Sequence, residues 1–137
     1  MDVHSIPGKL EVTWRDDVKA IVDTWTNYHV TLDEFRDAVL GKGLGFGRRR
    51  GVRAWIVDST HATGAFPQEV QDFIGSDVFP TFKNEGVEYF VTVLPKSALT
   101  KMTVKRFSEK TGPAGLKLVE VHSLEDAVSF LMQRQAA

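Results

Sequence analysis

The residue types best suited to chemistry fall in one short run, Asp58-Ser-Thr-His-Ala-Thr-Gly64. Asp58 offers a carboxylate, Ser59, Thr60 and Thr63 offer hydroxyls, and His61 offers an imidazole. Gly64 offers a backbone free to turn. Such a set can hold a ligand or a partner, or accept a phosphoryl group at a hydroxyl. His122 is the other histidine that follows an apolar stretch. With Asp58 and His61 it makes the only polar set that an α/β fold could converge for metal-assisted hydrolysis or acid–base work. His4 and His29 add no ligand spacing, and no two histidines stand two or four residues apart. The plainer reading of Asp58 is an acceptor for loop amides, and that of the hydroxyls is turn and cap formation. On these grounds no catalytic set, no metal and no cofactor is expected.

Other conspicuous residues have simpler readings. Arg48, Arg49, Arg50 and Arg53 form a compact basic patch. A solvated helix end explains it, since cations suit a helix C-terminus. The sharper alternative is contact with an anionic surface such as lipid headgroups. The run Gly41-Lys-Gly-Leu-Gly-Phe-Gly47 is no dinucleotide fingerprint, because it follows a helical pattern and leads towards a strand. Trp14, Trp25 and Trp55 are core or sheet-face residues. Trp25, if turned outward beside Tyr28, could line a pocket or a self-association face.

Composition narrows the class. With 137 residues and 42% hydrophobic content the chain suits one domain with a core of its own. No cysteine is present, which excludes disulfides and thiolate chemistry. A net charge of −1 gives no reason to expect nucleic acid. No apolar run approaches the roughly 20 residues of a membrane span, and no signal segment is visible, so a cytoplasmic protein is expected.

The elements that must position these residues follow from periodicity. Val52–Val57 is apolar and rich in β-formers, the pattern of a central strand covered on both faces, with Asp58 at its carboxyl end. Ligands collect at such ends in open α/β sheets. Residues 1–8 read as a flexible tail, and residues 9–137 as the domain. Leu10, Val12 and Trp14 alternate with polar residues, and Asp16-Asp17 turns the chain into Val18–Trp25, which gives a hairpin. Thr31-Leu-Asp-Glu34 is a capping box with Val30 and Phe35 placed as a hydrophobic staple. The helix it starts is expected to run through the glycines towards Arg50, because the apolar period continues to Phe46. Phe66, Val70, Phe73 and Ile74 share a second helical face, with an interruption at Gly75 and a further short piece around Pro80. Val87–Leu94 is a strand. Ser97 caps a helix towards Lys110 in which Leu99, Met102 and Phe107 are inward-facing candidates. Thr111–Gly115 is a loop and Leu116–Val121 a strand. Ser123 opens a terminal helix with Leu124, Ala127, Val128 and Leu131 on one face. The expected fold is α/β: a single five-stranded mixed sheet flanked by helices, in the order β-β-α-β-α-β-α-β-α.

This order, with Ala54-Trp-Ile-Val-Asp58, the Gly64-containing loop and Ser123-Leu-Glu-Asp-Ala-Val128, resembles the STAS domains (sulfate transporters and anti-sigma-factor antagonists) over residues 9–132. It is most similar to the bacterial STAS-like proteins near the lipid-binding CRAL-TRIO group. The resemblance implies a non-catalytic interaction or regulatory module that binds a protein partner or self-associates. Antagonist members carry a phosphorylatable Ser or Thr in an Asp-Ser-Ser-Gly-like turn before the second helix. Gly64 matches that glycine, so the resemblance implies Thr63 as the modified residue and Ser59 as the next candidate. His61 and Ala62 stand where the family has its Asp. The alternative implied is a domain for a small apolar or lipid-like ligand, associated with a membrane surface. Phe66, Phe73, Phe79 and Phe82 are expected near its pocket.

Overall fold

The computed structural model describes residues 1–96 and 98–136. Six strands form one mixed sheet: β1 (Asp2–Ile6), β2 (Leu10–Arg15), β3 (Ala20–Trp25), β4 (Ala54–Asp58), β5 (Tyr89–Val93) and β6 (Lys117–Val121). Their spatial order is their sequence order. The first three strands form an antiparallel meander, and β3 to β6 are parallel. β4 is central, with buried side chains from Ala54 to Val57, as its apolar sequence requires.

The sheet therefore has one strand more than expected, and the supposed tail is that strand. Ile6-Pro7-Gly8-Lys9 closes a tight turn, with the Lys9 amide donating to the Ile6 carbonyl at 3.0 Å. Proline followed by a glycine at φ +74° is the combination a type II turn requires. It sends Asp2–Ile6 back along β2, and Ile6 reaches the core.

The second turn spans Asp16–Lys19, and Lys19 takes a left-handed φ of +52°. Lys19 is tied to Asp16 at 2.7 Å, and Arg15 to Asp17 at 2.8 Å.

The β3–β4 connection is one long helical stretch in three parts. It comprises α1 (Leu32–Arg36), a π-helical segment (Asp37–Gly43) and α2 (Leu44–Arg48). The Thr31 hydroxyl and the Glu34 carboxylate form the expected capping box. The glycine run is helical because its bare backbone lies close to the sheet. A Cβ on Gly43 would stand 3.0 Å from the Trp55 ring, and one on Gly47 would stand 3.0 Å from Val52.

The β4–β5 connection repeats the pattern with α3 (Gln68–Phe73), a second π segment (Ile74–Val78) and α4 (Phe79–Asn84). The interruption expected at Gly75 is this π segment. Between β5 and β6 lie α5 (Ala98–Ser108) and α6 (Thr111–Ala114), a single turn where a plain loop was expected. The Ser97 cap lies outside the described residues, as does the side chain of Leu99. Of the other inward candidates in α5, Phe107 is buried and Met102 is 55% exposed.

Sequential parallel strands joined by crossovers of one hand place the helices between them on one face. The larger core lies there, between Ile21, Trp25, Trp55, Val57 and Phe90 of the sheet and the helices above. The opposite face is small and aliphatic, with Val22, Ala54, Ile56 and Val91. It is closed by α7 (Leu124–Ala136) through Ala127 and Leu131. No described helix is long and apolar enough to cross a membrane.

Candidate functional sites

At the carboxyl edge of the sheet, Thr24, Asp58, Val93 and Val121 lie in one register row. The loop that follows β4 begins with Asp58 turned back on itself. Its Oδ1 accepts from the Thr60 amide at 3.1 Å and from the Thr60 hydroxyl at 2.7 Å. That is an Asx turn, so this carboxylate oxygen is engaged in loop structure.

Ser59 is fully buried, and its hydroxyl is hydrogen-bonded to that of Tyr28, also fully buried. Burial pushes the Tyr28 phenol well above its usual range. The Ser59 hydrogen bond opposes this, and the nearby Asp23 and Asp58 charges add to it.

Thr63 is exposed, but its backbone is held. It forms a parallel bridge with Asn27. Its amide donates to the Thr26 carbonyl, and its own carbonyl accepts from the Tyr28 amide, both at 3.0 Å. Its hydroxyl donates to the Thr26 carbonyl at 3.1 Å. Gly64 turns at φ +74° over Asn27, whose Oδ1 a Cβ there would approach to 3.1 Å. The loop is thus an extension of the β3–β4 pairing beyond the sheet, with Thr63 displayed on it.

The imidazoles of His61 and His122 are both exposed. Among the described residues no three His, Asp or Glu side chains come together as metal ligands. Asp58 and β6, the strand preceding His122, are separated by β5, so two inter-strand spacings of about 4.8 Å lie between them.

The arginine patch lies at the other end of β4. Arg48 pairs with Glu85 at 3.6 Å, and Arg53 with Glu88 at 3.2 Å. Lys117 adds a second cation to Glu88 at 3.1 Å. The guanidinium of Arg50 sits over the Phe46 ring, 3.6 Å from its centroid. Three of the four guanidinium groups thus have partners within the fold.

A second candidate lies inside the protein. A cavity of about 30 Å³ lies between the sheet and the helical layer. Its wall is aromatic and aliphatic except for Asp23 on β3. Phe66, Phe79 and Phe82 line it, while Phe73 does not. Trp25 faces inward and stacks on Phe35, so it belongs to this wall and not to an outer face.

Asp23 is only 2% exposed. Its Oδ2 accepts from the Trp55 indole N–H at 2.8 Å, and its Oδ1 has no hydrogen-bond partner. Burial raises its pKa to about 7, and the Trp55 hydrogen bond pulls the other way. The sequence held a signal for this residue. Asp23 stands two positions from both Ile21 and Trp25 in a mostly apolar strand, which puts it on their buried face.

No protein-family model matches this chain, and neither a curated protein nor a solved structure matches it.

Proposed function

We propose that the chain is a non-catalytic interaction module of the STAS-like type, whose partner-binding rim is formed by the loops after β3 and β4. One observation carries the reading: Thr63 is an exposed hydroxyl on a loop with little freedom to move. A partner protein meets a surface that is already ordered, so little conformational entropy is lost on docking. The same geometry makes Thr63 a switch. A phosphoryl group on its oxygen removes one of the two donors that hold the Thr26 carbonyl and leaves the Thr63 amide. It also adds a charge of about −1.5 to −2 at the bridge with Asn27. Ser59, sealed against Tyr28, is out of reach of a modifying enzyme in the folded chain.

The experiment is affinity capture from lysate of the source cells with the wild type, Thr63→Ala and Thr63→Glu, together with phosphosite mapping of the endogenous protein. The expected result is a protein retained by the wild type and Thr63→Ala but lost with Thr63→Glu, and phosphate on Thr63. Retention of no protein, with turnover of a small substrate instead, overturns the reading.

A second reading, a domain for a small apolar or lipid-like ligand, is favoured by the aromatic cavity at Asp23. Its membrane-surface component draws less support, because the arginine patch is largely partnered.

A further inference from the structure

Three features converge on the interior cavity. Its only polar wall group, Asp23, is buried and keeps one oxygen unpartnered. An unpaired buried polar atom is costly, more so when charged, so a native fold that retains one needs an explanation. Trp55 satisfies the other oxygen and holds the carboxyl in place, so when the carboxylate is ionised Oδ1 is a fixed acceptor at a hydrophobic wall. The third feature is backbone. Both π-helical segments contribute to this cavity, Val39 from the first and Ile74 and Val78 from the second. π turns make up well under 1% of residues and gather at functional sites.

We propose that this cavity is the binding site of a small, flat, largely apolar molecule carrying one N–H or O–H donor, which it gives to Asp23 Oδ1. The proposal rests on the ligand-binding reading above and gives that ligand its chemistry. The aromatic walls select an apolar ring, which can pack edge-to-face among them. The lone acceptor selects a donor over an isosteric ring without one, because a ligand that cannot donate leaves Oδ1 unpaired. At about 30 Å³ the cavity has room for about two water molecules, whereas an engineered cavity that takes up benzene measures about 150 Å³. Binding therefore widens the site. The two π segments are the elements that yield, since each carries a wide turn that can pass to α geometry by a local slip.

Pyrrole and furan test this, being rings of the same size that differ in the N–H donor. The readouts are the midpoint of thermal unfolding and the NMR resonance of the Trp55 indole N–H, the group bonded to Asp23. At pH 8, where Asp23 is ionised, pyrrole is expected to raise the midpoint and move that resonance, with affinity roughly tenfold above that of furan. In Asp23→Asn, which can turn its amide donor to the cavity while still accepting from Trp55, the preference for pyrrole disappears. Equal binding of both rings to the wild type overturns the role of Asp23 but leaves a ligand cavity in place. If neither ring moves the Trp55 resonance, the cavity belongs to buried water, and both the proposal and the ligand-binding reading fall.

Discussion

Trp55 donates its indole N–H to Asp23 across the β3–β4 pairing, at 2.8 Å, although the two residues are not register partners. Asp23 pairs with Val57 and Trp55 with Ile21, so the indole reaches one step diagonally along the buried face. This bond and the desolvation around it set how the protein responds to pH.

Asp23 has a folded-state pKa of about 7 against an ordinary value of 3.8. Between those values the folded state holds a proton that the unfolded state has lost. Stability is therefore highest below about pH 4, declines as pH rises to about 7, and is flat above that as far as this group is concerned. The full span is up to about 4 kcal/mol. Urea unfolding at pH 5 and pH 8 should show the wild type weaker at pH 8. Asp23→Asn should remove this part of the slope and be the more stable protein at pH 8. Trp55→Phe should raise the Asp23 pKa further, because it deletes the bond that lowers it. A slope unchanged by Asp23→Asn would place the titrating group elsewhere.

The Tyr28 and Ser59 hydroxyls satisfy each other in a fully buried place. Tyr28→Phe or Ser59→Ala alone leaves a polar atom unpaired, at a cost of about 1–3 kcal/mol. The double variant should recover part of that loss, so the two single effects sum to more than the double. Denaturant titration of all four proteins closes the cycle. Strict additivity would mean that the pair is not coupled.

Two glycines of the same helical stretch should respond in opposite directions. A Cβ on Gly43 meets the Trp55 ring at 3.0 Å and the Ala38 carbonyl at 3.1 Å, whereas one on Gly45 meets nothing within 4 Å. Gly43→Ala is expected to cost about 1–3 kcal/mol through overpacking. Gly45→Ala should stabilise by about 0.5–1 kcal/mol, by limiting the unfolded chain and favouring the helix. Denaturation midpoints measure both. A neutral Gly43→Ala would show that the helix does not lie this close to Trp55.

The sheet was legible where alternation was clean, as in Leu10–Trp14, and where a run of β-branched residues marked a central strand. The edge strand is not legible in this way, because Ile6-Pro-Gly-Lys9 fits a domain boundary as well as a turn that returns the chain. Helical periodicity points through the glycines towards Arg50, and the helix ends at Arg48. It could not reveal the π segments, because one extra residue in a turn barely disturbs a 3.6-residue pattern. The Asp58–Gly64 loop was placed correctly at a strand end. The burial of Ser59 depends on Tyr28, 31 residues away, and no local pattern encodes it. Asp23 escapes a local reading, because its burial shows only when Ile21 and Trp25, two residues to either side, are compared.

The sequential strand order has a consequence for how the chain acquires its fold. Each strand pairs with its immediate predecessor, so the sheet can grow by stepwise addition, each step closing only a modest loop. The helices of the larger core arrive between successive strands and cover their face as it forms. The aliphatic face has no such cover until α7 follows β6 and folds back towards β4, some 70 residues upstream. During synthesis Val22, Ile56 and Val91 therefore stay open to solvent longest. That interval is when a nascent chain of this topology is most exposed to aggregation and most in need of a chaperone.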